Sequence, residues 1–164
     1  MKIIAILISV LFFGCQPSVS QCDSVSFRGF THCENTSLIF YKTPNGETLK
    51  EVGPDEEAGW IAEIKGLQGD YFKIDIADLE IKDAWVLKES ICVNTRNYDG
   101  QIVSLYESFD KSSKPVGYLQ KEQTVKVLDA CGKWVYVEGI GKDGKIKGWL
   151  EPEMQCGNPY TTCP

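Results

Sequence analysis

The sequence has 164 residues, and its 23 acidic against 17 basic side chains give a formal net charge of −6. This length allows one domain of ordinary size or two small ones, and it leaves no room for a catalytic domain beside a separate binding domain. Nucleic-acid binding is excluded, because an acidic chain lacks the Lys/Arg stripes that phosphate backbones require. The single histidine, His32, excludes histidine-rich metal sites. The sequence also lacks the glycine-rich phosphate loop that would indicate a nucleotide cofactor.

The N-terminus has the pattern of a secretory signal. A lysine precedes an uncharged, apolar run over residues 3–13. A run of this length is too short to cross a hydrocarbon core of about 30 Å, but it suits the apolar region of a signal peptide. Two processing routes stay open, a lipobox that ends at Cys15, which would be acylated, or cleavage after Ser20. We therefore expect an extracytoplasmic protein, either lipid-anchored in the cell envelope facing the periplasm or secreted, with membrane contact only through a lipid on Cys15.

Seven cysteines in so short a chain indicate an oxidising compartment. Both processing routes take Cys15 out of the pool of thiols, and the candidate disulfide cysteines are then Cys22, Cys33, Cys92, Cys131, Cys156 and Cys163. The sequence does not select their connectivity. The short, turn-rich segment after Cys156 suits a local bond to Cys163, with Cys131 as the other partner for Cys163. No Cys-x-x-Cys pair is present, which argues against a thiol-redox protein.

The chain contains an internal repeat. Trp85 and Trp149 are 64 residues apart, and Cys92 and Cys156 are separated by the same distance. Two further pairs of segments match in the same order at nearly the same offset: residues 38–41 with 103–106, and residues 71–74 with 134–137. Four matched anchors in one order indicate a tandem architecture.

Both copies alternate short apolar strands with turns. In the second copy, residues 124–128 and 134–138 alternate with period two, and Asp143-Gly144 is typical of a two-residue hairpin turn. No stretch shows sustained helical periodicity. We therefore predict an all-β protein of two tandem small barrels supported by disulfides, because so small a barrel buries little core by itself. The predicted parts are a signal peptide (residues 1–20), an N-terminal extension (21–35), a first barrel (36–93), a second barrel (100–156) and a disulfide-tied tail (157–164).

The second copy resembles a bacterial SH3 domain. Residues 116–119 read Val-Gly-Tyr-Leu, residues 132–137 read Gly-Lys-Trp-Val-Tyr-Val, and residues 148–150 read Gly-Trp-Leu. These segments correspond to the Val-Gly-x-Leu step, the hairpin and the closing strand of that family. The resemblance covers most of residues 101–152, and the first copy is assigned through its parallel to the second. It implies an SH3-like barrel for each copy and cell-wall peptides as the ligand.

Aromatic residues of the opening loops tend to face the ligand groove of such barrels, so the candidate ligand-binding residues are Tyr41, Tyr106, Phe109 and Tyr118. A groove of aromatics without positive charge suits a neutral or cationic peptide better than an anionic polymer. We expect a non-catalytic extracytoplasmic binding module whose partner is a peptide, a peptidoglycan stem peptide or a protein. The tryptophans Trp85, Trp134 and Trp149 are interpreted as core or half-core residues.

Catalytic and metal chemistry have weak support in the sequence. Cys33 lies beside His32, but neighbours along a strand do not face each other, so the pair is interpreted as a disulfide cysteine beside a surface histidine. The pair also lacks the repeated spacing of zinc ligands. The acidic clusters at residues 55–57 and 75–80 lack a calcium-loop pattern and are interpreted as solvated faces. We therefore expect no enzyme activity, no metal and no cofactor.

An alternative function is a periplasmic immunity or inhibitor protein that binds and blocks a toxin or hydrolase. Small size, disulfides and acidity all fit this function. An acidic surface pairs with a basic enzyme and speeds their encounter. The sequence leaves both functions open.

Overall fold

The chain folds into an all-β structure, seen in a computed structural model that describes residue 22 and residues 24–31, 36–53 and 59–163. Among these residues no helix is long and apolar enough to cross a membrane. The predicted signal peptide, with Cys15 and both processing sites, lies outside the described residues. The prediction of an all-β class is confirmed.

Thirteen strands occur in the described part of the chain. Those of the first half are β1 (Phe27–Phe30), β2 (Leu38–Tyr41), β3 (Thr48–Val52), β4 (Ile61–Gln68), β5 (Tyr71–Ile76) and β6 (Ile81–Leu87). Those of the second half are β7 (Cys92–Thr95), β8 (Val103–Tyr106), β9 (Pro115–Leu119), β10 (Thr124–Cys131), β11 (Trp134–Gly141), β12 (Gly144–Leu150) and β13 (Gln155–Cys156). Short 3-10 turns connect some of them, at Ala77–Leu79, Lys88–Ser90, Tyr98–Gly100 and Pro152–Met154.

The internal repeat returns in the order of the strands. In the first half β3, β2, β6, β5 and β4 lie side by side, and in the second half the corresponding order is β9, β8, β12, β11 and β10. The tryptophan anchors occupy equivalent places, because Trp85 lies opposite Tyr41 and Trp149 lies opposite Tyr106. The repeat in the sequence is therefore also a repeat of strand pairing.

Two strands join the halves into one sheet. β1 pairs with β4 and with β7, and β7 also pairs with β10 and β13. Just before β1, the Ser26 N–H donates to the Gly132 carbonyl oxygen in the second half, at an N···O distance of 2.8 Å. The prediction of separately closed barrels is therefore wrong, because hydrogen bonding continues from one half to the other and the described strands form one open series from β3 to β9. Residues 27–30, within the segment 21–35 that was predicted as an extension, form this joining strand.

One hydrophobic core serves both halves. Its buried side chains come from alternate positions of the strands, as in β11, where the two valines are fully buried while Trp134 and Tyr136 lie half-buried on the opposite face. The same cluster contains Phe72 from the first half and Val125 from the second. Period-two alternation thus separates a core face from an outer face, and the outer face carries the candidate site.

The polar segment between the repeats is packed into the second half. The buried Thr95 hydroxyl donates to the side-chain oxygen of the buried Asn97 at 2.7 Å. The Asn97 side-chain amide donates to the Leu119 carbonyl oxygen at 3.2 Å, and the Gln123 backbone N–H donates to the Thr95 hydroxyl at 3.0 Å. Buried polar groups that are satisfied in this way hold the segment in one conformation.

Disulfide bonds tie both ends of the described chain to the sheet. Cys22 bonds to Cys131 across 109 residues, and Cys156 bonds to Cys163 across 7 residues. The local bond at the C-terminus is the predicted one, and the other partner considered for Cys163 is taken by Cys22. Cys92 is disulfide-bonded as well, whereas the predicted disulfide cysteine at position 33 lies outside the described residues.

The C-terminal tail contacts both halves. The Tyr160 hydroxyl donates to the carbonyl oxygen of Gly59, just before β4, at 2.5 Å. In the second half, the Tyr98 hydroxyl accepts a hydrogen bond from the Cys163 backbone N–H at 3.1 Å. The tail therefore helps to hold the two halves together.

Removing the Cys22–Cys131 bond should destabilise the protein more than removing the Cys156–Cys163 bond. In the chain-entropy description the longer loop restricts the unfolded chain more, by about 4–5 kcal/mol against about 2 kcal/mol for the short loop. Chemical denaturation of the Cys22→Ser/Cys131→Ser and Cys156→Ser/Cys163→Ser double variants measures both losses. Equal losses, or a larger loss in the tail variant, would contradict this expectation.

Candidate functional site

Three aromatic side chains lie next to one another on the outer face of the second half. Tyr136 on β11 is paired with Trp149 on β12, and Trp149 is paired with Tyr106 on β8. Directly paired residues point to the same face of a sheet, so the three rings form a continuous row across neighbouring strands. All three side chains are half-buried. We call Tyr106, Trp149 and Tyr136 the aromatic row.

Two further rings extend the aromatic row. The Phe109 ring lies edge-on to Trp149 with ring centroids 5.3 Å apart, and the Trp134 ring lies edge-on to Tyr106 at 5.8 Å. Within the row, the Tyr136 and Trp149 centroids are 5.4 Å apart. At these separations ring edges attract ring faces. The rings therefore hold one another in place, and their solvent-facing sides can contact a ligand.

An ion pair anchors the loop that carries Phe109. Lys111 in this loop contacts the carboxylate of Glu151, which follows β12, and its Nζ lies 3.3 Å from a carboxylate oxygen of Glu153. Glu151 is only 8% exposed. Hydrogen bonding to Glu151, and then to Glu153, raises the pKa of Lys111. The ion pair therefore holds the loop beside Trp149.

Polar side chains within the same loop also stabilise it. The Asp110 carboxylate accepts hydrogen bonds from the backbone N–H and the hydroxyl of Ser112, each at 2.8 Å. These bonds, the backbone one first, lower the pKa of Asp110. The Ser113 hydroxyl donates to the Asp110 carbonyl oxygen at 2.7 Å. Bonds from side chains to nearby backbone favour a compact turn, so the loop is preformed.

A second group of charges borders the aromatic row on β11 and β12. The Glu138 carboxylate lies 2.7 Å from Lys145 Nζ and 3.1 Å from Lys147 Nζ. Hydrogen bonds from Lys145 and then Lys147 lower the pKa of Glu138. Glu138 and Lys147 are paired across the strands and share the face of the row. Charges of both signs therefore frame the rings.

The equivalent face of the first half has a different composition. Tyr41 and Trp85 are paired as their counterparts are, and the Tyr71 ring lies edge-on to Tyr41 at 5.5 Å. Where the aromatic row has its third ring, the first half has Lys73, which is paired with Trp85. The first half therefore presents two rings and a cation at the place where the second half presents three rings.

Lys73 belongs to a network of four charges. One carboxylate oxygen of Asp83 lies 2.9 Å from Lys73 Nζ and 3.1 Å from Lys65 Nζ, and Lys65 Nζ lies 2.7 Å from Asp75. Hydrogen bonds from Lys73 and then Lys65 hold the pKa of Asp83 below its usual 3.8. Burial alone would raise the pKa of Asp75, but hydrogen bonds from Lys65 and from the Asp83 backbone N–H outweigh it and the pKa is lowered. This face is therefore polar.

The structure brings together two of the four predicted binding residues, Tyr106 and Phe109. Tyr41 lies on β2, near the opposite end of the strand series from β8. Tyr118 is 52% exposed on β9 and lines a separate cavity of about 300 Å³ beside the turn between β11 and β12. Of the four, Tyr106 therefore belongs to the aromatic row and Phe109 packs against it.

The sequence predicts Trp134 and Trp149 as core or half-core residues and does not single out Tyr136. In the structure all three are half-buried on the outer face. The signal that places them there is their alternation with fully buried neighbours, Val135, Val137 and Leu150. Aromatic residues at the alternate positions 134 and 136 of β11, with Trp149 on the neighbouring β12, are the pattern that finds such a row.

The described residues contain neither a free thiol nor a metal-type cluster. In this part of the chain no group of three or more His, Cys, Asp or Glu side chains is placed to hold a metal ion. The five cysteines described are all disulfide-bonded. His32, Cys33 and the acidic segment at residues 55–57 lie outside the described residues. The candidate site consequently offers apolar contact and hydrogen bonds.

Comparison with known proteins finds a distant structural likeness. No family model and no curated protein matches the sequence. The solved structure of NlpC1 from Trichomonas vaginalis is 15% identical with a TM-score of 0.33, over 84% of this chain and 47% of that one. NlpC2 from the same organism is 16% identical with a TM-score of 0.31, over 83% and 49%. The chain spans about half the length of these proteins.

Replacing Lys73 by Met should raise the pKa of Asp83 toward its usual value, because the foremost hydrogen bond to that carboxylate is lost. NMR titration of the aspartate carboxyl carbons measures the shift. Lys82→Met removes an exposed lysine on β6 that makes no hydrogen bond to Asp83, and it should leave the Asp83 pKa unchanged. An Asp83 pKa that does not change in the Lys73 variant would show that the network is not formed in solution.

The Lys73→Met variant should lose less stability in acid than the wild type. A carboxyl whose pKa is lowered by folding stabilises the fold above its unfolded-state pKa, and this contribution is lost as the pH falls through the folded value. Below about pH 4, the free energy of unfolding should therefore fall more steeply in the wild type than in Lys73→Met. Urea denaturation at a series of pH values tests this, and parallel curves would contradict it.

Proposed function

We propose that this protein is a non-catalytic extracytoplasmic binding module with two SH3-like repeats in tandem, and that the aromatic row holds its ligand. The proposed ligand is an extended peptide, either a peptidoglycan stem peptide or a segment of a protein partner. The observation that carries the proposal is the arrangement of Tyr106, Trp149 and Tyr136, half-buried and side by side on three neighbouring strands.

The aromatic row suits an extended ligand because it is continuous and preformed. Rings that are already packed against one another lose little conformational freedom on binding, so more of the contact energy contributes to affinity. Phe109 is held by the anchored loop and Trp134 by its contact with Tyr106. These two rings lengthen the apolar surface beyond the three rings of the row. Grooves lined by aromatics are a recurrent way to bind extended peptides.

The charges around the row favour a neutral or cationic ligand. The three lysines beside it, Lys111, Lys145 and Lys147, each contact a glutamate carboxylate. Lys111 contacts two glutamates while Lys145 and Lys147 share one, so three carboxylates match the three lysines in number and the border of the row has no net positive charge to attract an anionic polymer. A ligand with amines or amides can contact both rings and carboxylates at the border of the row.

The cysteines support the other parts of the proposal. Disulfides persist in oxidising compartments, which fits an extracytoplasmic protein that carries the predicted signal peptide and is either acylated at Cys15 or released after Ser20. Each described cysteine is bonded, which fits a binding protein better than a thiol enzyme. The alternative function, an inhibitor of a toxin or hydrolase, would use a surface suited to a basic protein rather than the aromatic row.

Replacing Tyr106 or Tyr136 by Ala should weaken stem-peptide binding about tenfold, which is the usual effect of losing a central aromatic contact. Tyr41→Ala, at the equivalent place in the first half, should lower the affinity less than about twofold, because the network of Lys73 replaces the third ring there. Leu49→Ala on β3 removes an exposed apolar side chain far from the row and serves as the control. Isothermal titration with the soluble peptide and retention on purified peptidoglycan give the two readouts.

The outcomes separate the parts of the proposal. Wild-type protein that neither binds the stem peptide nor is retained on peptidoglycan would refute the wall-peptide ligand. Binding that is lost equally in Tyr41→Ala and Tyr106→Ala would refute the restriction to the second half. Circular dichroism of each variant confirms that the sheet is intact before affinities are compared.

A further inference from the structure

A groove on the first half contains none of the residues of the aromatic row. It has a volume of about 940 Å³ and lies between β1, β4, β5 and β6, at the 3-10 turn Ala77–Leu79. Its lining includes the apolar side chains of Ile61, Ile76, Ala77 and Ile81. This volume is in the range of pockets that bind ligands, about 300–1,000 Å³. We call it the acidic groove, because four carboxylate side chains line it.

Carboxylates dominate the rim of the acidic groove. Four of them line it, Glu63, Asp75, Asp78 and Glu80, against two basic side chains, Arg28 and Lys82. Arg28 already contacts Glu63 at an Nη2···Oε1 distance of 2.6 Å, so its charge is balanced. Asp78 and Glu80 are exposed and make no ion pair with another residue of the described chain. Asp75 is paired with Lys65, so Asp78 and Glu80 face only Lys82, and the rim carries a net negative charge beside an apolar floor.

The groove arises from a difference between the two repeats. In the second half, β11 and β12 are joined by a tight hairpin, and the last pair is Gly141 with Gly144. In the first half, β5 ends earlier and the 3-10 turn replaces the tight hairpin before β6 begins. A cavity of about 300 Å³ beside that hairpin is lined from the β9 side by Tyr118, whereas the acidic groove is lined from the β4 side by Ile61. The acidic groove is therefore not the counterpart of that cavity.

The geometry points to a docking site, in the acidic groove, for a basic segment of a protein partner that inserts an apolar side chain between Ile61 and Ile81. Charge complementarity selects this occupant, since Asp78 and Glu80 can pair with lysine or arginine on either side of the inserted residue. A second copy of the chain is a poorer fit, because its net charge of −6 would bring like charges together. This inference does not depend on the ligand of the aromatic row.

The test uses the dye-labelled peptide Gly-Lys-Leu-Lys-Leu-Lys-Gly as the probe, with fluorescence anisotropy at low salt. Wild-type protein should bind it, and added salt should weaken the binding because the pairs are exposed. Two matched peptides, one with Gln in place of Lys and one with Ser in place of Leu, should each bind more weakly. Equal binding of all three peptides would overturn the proposal.

Two protein variants locate the probe. Asp78→Asn/Glu80→Gln should weaken its binding about three- to tenfold, as expected for losing two exposed pairs. Asp70→Asn/Glu89→Gln makes the same change in net charge at exposed sites outside the groove and should alter the affinity less than about twofold. Ala77→Lys, which places a cation in the groove, should abolish binding. An equal loss in both double variants would reduce the effect to net charge and overturn the proposal.

Two further measurements distinguish other occupants. If Tyr106→Ala removes probe binding and the groove variants do not, the aromatic row binds the probe and this inference fails, while the proposed function stands. Sedimentation velocity should show a monomer. A dimer that the Asp78→Asn/Glu80→Gln variant dissociates would make a second copy the occupant and would overturn the choice of partner.

Discussion

The fold depends on a short strand that is hydrogen-bonded on both sides. β1 pairs with β4 along its whole length and meets β7 where Phe30 lies opposite Cys92. Gly29 permits this approach, because a Cβ atom there would lie 2.8 Å from a methyl carbon of Ile91 and 2.9 Å from the Cys92 carbonyl oxygen. The two halves consequently share one sheet and one core, and both candidate surfaces are displayed on the same framework.

Within that framework the repeats keep their strand pairing and change their outer faces. Pairing uses backbone groups, and the core uses alternate side chains, so the remaining positions can vary without loss of the fold. One change places Lys73 where the second half has Tyr136, and another replaces a tight hairpin by the turn Ala77–Leu79. The two halves therefore share a strand order and differ in their outer faces, with the aromatic row on one and the acidic groove on the other.

Local signals made much of the fold predictable from the sequence. The alternation over residues 134–138 and the Asp143-Gly144 turn depend on near neighbours, and both correspond to strands and a hairpin in the structure. The joining role of β1 was not predictable in this way. Its partners β4 and β7 are distant in sequence, and the sequence of residues 27–30 does not specify which strands they pair with. Tyr106 and Phe109 were predicted as binding residues from the family resemblance, whereas the groove depends on the shape of one turn.

The Cys22–Cys131 bond also determines what happens when the chain is cut. The exposed residues 99–102 lie just before β8 and are the kind of surface segment that proteases cleave. A cut there would leave the N-terminal fragment attached to the C-terminal one through the covalent bond between Cys22 and Cys131, and through the pairing of β7 with β10 and β13. The nicked protein would remain a single molecule until it was reduced, so a protease could sever the backbone between the two surfaces without separating them.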